Sequence, residues 1–537
     1  MSTGSAALAP AAPGRAVTGS AIRQVRRGGL IVVLLTAGLP ALVAATYAGV
    51  MADPAAAGGL RALAGNPAIR TLFGEPIGLD NAGGFTVWRV GTALAVLLGV
   101  WSILATTRIT RGAEDARRWD LLLAGQLTLR GTVARHLAAV MLVPVVAGGA
   151  VTAVLLLAGT RTAGALTYGA GIGVLGLFFV AVGGLTAQVF PARASATGTA
   201  VAVLAAGLLT RMIGDGLADL AWLRWTSPFG LLALSAPYHR NWILPVLVLL
   251  AATIVVAGAA LVLAGRRDLR GGLFAERSGR RPRLRLLSGV EAFAVRRMVR
   301  PLTGWALGIG AYYLLIGLTA VSITEFLTGN PRLADEAARA GFSLGAVEGF
   351  TATLFAILAL PVGGFTAMRL GAFVAAETDG RLTLLSAQPI SRPRLLGAEL
   401  LATTAGAVLL VSVAGLTTWL GVAISGGDLA LLAALRGAWN VLPVVLLTLA
   451  AAALAVGWAP RTTGVAGSLP ATGGFLLLVL ADSVGAPGWV RGLSPFAHLA
   501  PVPLTGVNWP ATAVTTGLAI GSTVLALLGY GRRDIRV

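Results

Sequence analysis

Apolar stretches of about twenty residues alternate with short polar, arginine-bearing segments along the whole chain of 537 residues. They fall near 29–51, 85–106, 135–158, 165–190, 195–214 and 243–264, and again near 302–324, 347–369, 397–421, 438–458, 463–482 and 510–529. Each approaches the roughly 20 residues a helix needs to cross a bilayer. The pattern predicts an all-α polytopic membrane protein with about twelve transmembrane helices, six in each half. Glycine and proline inside the stretches do not argue against this, because neighbouring helices satisfy freed backbone groups in lipid. Composition agrees: 56% of residues are hydrophobic and 12% charged, where soluble chains average about 25% charged.

The two sets of six are related. Trp222-Leu223-Arg224-Trp225-Thr226-Ser227-Pro228-Phe229 returns as Trp489-Val490-Arg491-Gly492-Leu493-Ser494-Pro495-Phe496. Arg266-Arg267-Asp268-Leu269-Arg270 returns as Arg532-Arg533-Asp534-Ile535-Arg536, and Leu123-Ala124-Gly125-Gln126 as Leu385-Ser386-Ala387-Gln388. The offsets are 267, 266 and 262, in unchanged order. A duplicated fold is the simplest cause, and duplicated membrane halves point to a pore or cleft between them. The chain divides into a tail with an amphipathic elbow (1–28), a first six-span half (29–270), a basic linker with a second elbow (271–300) and a second half (301–537). In the second elbow Val290, Phe293, Ala294 and Met298 alternate with Arg296, Arg297 and Arg300. That pattern predicts a helix lying on the inner leaflet, and residues 17–28 are expected to do the same. The stretch from Gly29 to Val50 is too long for a signal-peptide core and reads as a first span.

Charge orients the chain. The net charge is +20. Placing the N-terminus inside puts 30 of the 41 basic residues in cytoplasmic segments, which the positive-inside rule favours. Both termini are then expected in the cytoplasm of a bacterial cell, against an anionic inner leaflet. No polar segment is large enough for a basic nucleic-acid-binding domain. Cysteine is absent and there are only three histidines, His136, His239 and His498, far apart in the sequence; thiolate chemistry is excluded and a histidine metal site is not expected. All 41 basic residues are arginine. Without lysine the chain cannot build a Walker A loop, whose lysine sits on the nucleotide phosphates.

The second cytoplasmic loop of each half carries the most chemistry. It reads Glu377-Thr378-Asp379-Gly380-Arg381-Leu382-Thr383-Leu384-Leu385-Ser386-Ala387-Gln388-Pro389-Ile390-Ser391-Arg392 in the second half, and Glu114-Asp115-Ala116-Arg117-Arg118-Trp119-Asp120 through Gln126 in the first. Acidic residues precede a leucine-rich turn or two of helix, which could dock charge and apolar surface in a partner's groove. The stretch Glu377 through Leu396 resembles the loop between the second and third spans of ABC-2 type exporter permeases. In the first half Leu127 stands for the proline and Leu129 for the serine of that pattern. The doubled layout, with paired Ser-Pro-Phe turns and Arg-Arg-Asp ends, is similar to the twelve-span actinobacterial polyketide-antibiotic and multidrug exporter permeases. That resemblance covers nearly the whole chain; it is specific for the permease family and weak for substrate.

The resemblance implies a membrane-spanning transport subunit, not itself an enzyme and holding no cofactor. It works with two copies of a separate nucleotide-binding ABC ATPase, where ATP and Mg would bind, and moves hydrophobic small molecules outward by alternating access. Glu377, Asp379, Arg381, Gln388 and Arg392 then belong to an ATPase-coupling surface, with Glu114, Asp115, Arg117, Arg118 and Gln126 in the first half. The first, second and fifth spans of each half would face the substrate path, making Phe85, Trp88, Trp101, Met212, Trp305, Tyr312, Phe350, Phe355 and Phe475 its candidate residues. Aromatics and methionine suit a bulky apolar ligand, though aromatics also gather at membrane interfaces.

At the outer turns Asp219 precedes Arg224, and Asp482 precedes Arg491, each pair a candidate clasp or exit gate. The remaining charges near span ends, Arg89, Arg211, Asp215, Glu348 and Glu399, are expected to snorkel to the interface. A proton-driven secondary transporter and a non-transporting scaffold are the alternatives. The first wants titratable groups at mid-depth, where the spans show no clear chain of carboxylates; the second leaves the duplicated loop without a purpose.

Overall fold

The computed structural model describes residues 13–52, 70, 74–269, 271–273, 287–329, 347–378, 380–382, 385, 388–483 and 486–533. All regular structure among them is helical. The chain forms two compact units, 1–280 and 281–537. The first contains α1 (Pro13–Ala52), α2 (Ala82–Ile109), α3 (Arg111–Asp115), α4 (Arg118–Leu123), α5 (Leu129–Leu157), α6 (Thr162–Val189), α7 (Arg193–Gly216), α8 (Pro228–Leu234) and α9 (Leu244–Arg266), with a 3-10 run over Ala218–Thr226. The second contains α10 (Val290–Thr328), α11 (Val347–Ile357), α12 (Ala359–Thr378), α13 (Arg392–Ile424), α14 (Leu431–Trp439), α15 (Leu442–Trp458), α16 (Thr463–Ser468), α17 (Gly474–Ser483), α18 (Gly488–Gly492) and α19 (Trp509–Arg532).

Among the described residues eleven helices are long and apolar enough to cross a membrane. The twelfth expected span, 463–482, is helical over 463–483 but contains a π-turn at Leu469–Gly473. Pro470 sits in that turn. A proline cannot donate the usual backbone bond, and widening the turn is one way a helix accommodates it.

The elbows differ from expectation. Each is continuous with its span: α1 has 40 residues and α10 has 39. At about 1.5 Å per residue such a helix is about 60 Å long, twice the hydrocarbon thickness. The apolar face of 17–28 is covered by protein instead of lipid. Ala21 and Val25 are buried in a cluster with Ile109, Trp119, Val133, Val140 and Ala264. Gly28 and Gly29, which could have broken the helix, instead let Trp101 and Val143 approach its backbone closely. In α10 the apolar positions Val290, Ala294 and Met298 are likewise buried.

Both units share a packing plan. The first span lies along the third (α1 on α5, α10 on α13) and the sixth along the fourth (α9 on α6, α19 on α15). Small residues set the closest approaches. A Cβ on Gly148 would meet the backbone of Gly169 and Gly173, and one on Gly317 the backbone of Thr418 and Gly421, as expected where helices associate in lipid by close van der Waals packing.

Candidate functional site

Two of the repeated motifs meet in space. Glu114, in α3, is 1% exposed, and its carboxylate is gripped by the fork of Arg267 through bonds of 2.6 and 2.7 Å. Arg111 lies 3.2 Å from the same carboxylate and donates to the carbonyls of Ala187 and Gly271, each at 2.9 Å. Arg267 also donates to Gln188 Oε1 at 2.9 Å. In the second unit Glu377 pairs with Arg533, which donates to the Val456 carbonyl at 2.6 Å and lies over the Tyr530 ring. Thus the second arginine of each Arg-Arg-Asp end holds the loop glutamate beside the end of the fourth span. Glu114 and Glu377 are buried ion-pair partners, each carboxylate held by an arginine at the end of the sixth span of its own unit.

The surface of the first loop is made by other residues. Arg117 takes the left-handed conformation (φ 58°) between α3 and α4 and turns the chain back on itself. Trp119 then points inward, fully buried, with its ring 5.1 Å from that of His136. Leu121 and Leu122 point outward, 85% and 37% exposed. Arg117, Arg118 and Gln126 are exposed around them, and Asp115 accepts from the Arg193 backbone N–H at 3.0 Å. In the second unit Leu382 is buried. Arg381 and Gln388 are exposed, and Arg392 donates to the Arg533 carbonyl. Asp379 and much of the leucine-rich turn or two of helix expected before Pro389 (383, 384, 386 and 387) lie outside the described residues.

The Ser-Pro-Phe turns are built alike in both units. Ser227 donates to the Gly207 carbonyl at 2.5 Å, and Ser494 to the Gly474 carbonyl at 2.8 Å. Each serine then accepts from a backbone N–H of the next turn, that of Gly230 or Phe496. The serine both caps the new helix and ties it to the one before. Phe229 and Phe496 pack beside Phe179 and Phe475, with ring centroids 5.6 and 5.7 Å apart.

At the opposite end of the first unit from the 114–126 loop lies a chamber of about 70 Å³, lined by residues including Gly74, Glu75, Trp88, Tyr168, Arg211, Asp215 and Arg224. Arg211 meets Asp215 at 2.5 Å and Thr92 at 3.1 Å. Arg224 lies 3.2 Å from Glu75 and 3.8 Å from Asp215. The expected partner, Asp219, is exposed. In a 3-10 run of about three residues per turn, five positions rotate the side chain by about 240°, so Asp219 and Arg224 leave on different faces. The side chain of Asp482 lies outside the described residues, so the second clasp has no geometry to report. Arg211, Asp215 and Glu399 do not snorkel: all three are buried, and Glu399 pairs with Arg369 and lies 3.7 Å from Arg297. The i, i+4 spacing of Arg211 and Asp215 was the available signal for their pairing.

The path candidates do not converge within either unit. Trp88 lines the chamber and donates to the Gly74 carbonyl at 3.2 Å. Phe85, Met212, Phe350 and Phe355 are buried packing residues. Trp101 packs between two core clusters, Trp305 meets Phe365 edge-on, and Phe475 is partly buried beside Phe496. Tyr312 is 40% exposed, and its neighbour Tyr313 stacks on Phe355. Among the described residues no group of three or more histidines, aspartates or glutamates is placed to hold a metal ion.

Residues 287–531 match the family model described as the C-terminal domain of multidrug efflux system permease Rv1217c. The chain is 30% identical over 518 residues to the multidrug efflux system permease protein Rv1217c of Mycobacterium tuberculosis (strain ATCC 25618 / H37Rv), covering 94% of this chain and 92% of that protein. These matches bear out the permease resemblance carried by the loop and the paired motifs: the chain belongs to the family of the multidrug efflux system permease Rv1217c.

Proposed function

We propose that this chain is the permease subunit of a multidrug exporter, driven by ATP hydrolysis in a separate ABC ATPase of which two copies dock, one on each coupling loop. The observation that carries this reading is the first loop. A six-residue helix is anchored inward by Trp119 and presents Leu121 and Leu122 outward, ringed by arginines. Exposed leucines on a charged loop suit insertion into a groove of a partner protein. ATP and Mg belong to that partner; the permease residues bind it, receive its motion and shape the path of a hydrophobic cargo. The loops face the cytoplasm of the bacterial cell, where the excess of arginine also places both termini.

Co-purification tests the reading. The full chain expressed with its ATPase should retain the ATPase on purification, and Leu121→Asp should lower retention while the chain still reaches the membrane. Export that persists through ATP depletion and stops when the proton gradient collapses would overturn it.

A further inference from the structure

The Arg-Arg-Asp ends are repeated at an offset of 266 residues, and the second arginine of each lies behind the loop instead of on its exposed face. In both units the second arginine touches the same two places, the glutamate that leads into the loop (Glu114 in α3, Glu377 in the last turn of α12) and the end of the fourth span. Arg267 reaches Glu114 and Gln188; Arg533 reaches Glu377 and the Val456 carbonyl. The surroundings differ. Arg111 supplements the first pair, whereas the Tyr530 ring supports the second. The three-cornered contact stays while its neighbours change, which is what a geometric requirement looks like. Stability alone is a weak reason for such a pair, because desolvation offsets most of its attraction. A guanidinium fork on a carboxylate does fix orientation, so a push on the loop reaches two spans without slack.

We propose that Arg267 and Arg533 are positioning residues for transport, each fastening its coupling loop to the fourth and sixth spans so that loop movement is carried into both. This rests on the ATP-driven reading above.

The chain has no cysteine, so one introduced thiol takes a spin label without background. In the full chain reconstituted in lipid nanodiscs, a label at Gln388→Cys is expected to become more mobile in Arg533→Ala, and to recover partly in Arg533→Lys. For the first unit the label goes on Leu121→Cys with Arg267→Ala; if that variant does not accumulate, the second unit carries the test. In the complex with its ATPase, Arg533→Ala is expected to lower the drug exported per ATP hydrolysed about tenfold. The swap Glu377→Arg/Arg533→Glu is expected to regain part of it. Unchanged label mobility, or a fall in export matching only the loss of folded chain, would overturn the joint. Export that ignores ATP would instead overturn the ATP-driven reading, and label mobility would then decide the joint by itself.

Discussion

Asp215 shows how much can depend on one carboxylate. It is buried against Arg211, with Arg224 near its other oxygen. Asp215→Asn removes one charge of a buried ion pair, a change that typically costs about 3–5 kcal/mol. The expected result is a clearly lower melting temperature in detergent. The double variant Arg211→Met/Asp215→Leu should recover most of that loss, since apolar replacement of a whole buried pair is often near neutral; a double variant as unstable as the single would contradict the pairing. Gly74 is tied to the same site. It has φ +98°, and a Cβ there would collide with the Arg211 guanidinium, so Gly74→Ala should destabilise the chamber from both causes. The paired serines offer a milder case. Ser227→Ala and Ser494→Ala should each cost about 1 kcal/mol, as lost helix caps do, and similar losses at the two sites would follow from their matching bonds. Much of this was hidden in the sequence. Asp219 is the acidic residue nearest to Arg224 along that turn, but the pitch of a 3-10 run turns it away, and Glu75 arrives from 149 residues earlier.

At the scale of elements, the spans were legible because membrane crossing imposes length and apolarity directly on the sequence. The elbows were only half legible. An apolar stripe at Val17, Ala21 and Val25 looks the same whether it meets lipid or protein, and here protein covers it. Trp119 lies in the same buried cluster, which holds α4 from behind. Trp119→Ala should therefore loosen α4. Hydrogen exchange across 118–123 is expected to quicken, and ATPase binding to weaken, although no docking surface has been altered. Leu121→Asp should also weaken ATPase binding, but without changing exchange. Equal exchange in both variants would remove Trp119 as the anchor. The aromatic path candidates were not separable from core by residue type: Phe85 and Phe355 are fully buried packing residues, and composition alone marks cargo contacts and core alike.

Across the whole molecule the duplication is a common frame with unequal fittings. The loop glutamate, the sixth-span arginine and the Ser-Pro-Phe turn recur with matching bonds. Two further buried pairs sit on different spans: Arg211 with Asp215 on the fifth span of the first unit, Arg369 with Glu399 on the second and third spans of the second. The loop joints differ in how far burial commits them. Glu114 stands between two arginines almost shut off from solvent, whereas Arg533 keeps 19% of its side chain exposed and retains Val456 and Tyr530 as partners. Losing the first carboxylate takes the shared counter-charge from two buried cations, which keep only carbonyl and amide acceptors among their bonds; losing the second leaves one cation with carbonyl and ring contacts and access to water. Glu114→Gln is therefore expected to cost about 3–5 kcal/mol and to reduce the amount of folded chain in the membrane. Glu377→Gln should cost about 1–3 kcal/mol and show its defect as poor export by a normally expressed chain. Melting temperature and membrane abundance, measured beside export, separate the two. Equal destabilisation by both substitutions would mean that burial does not set the difference between the halves.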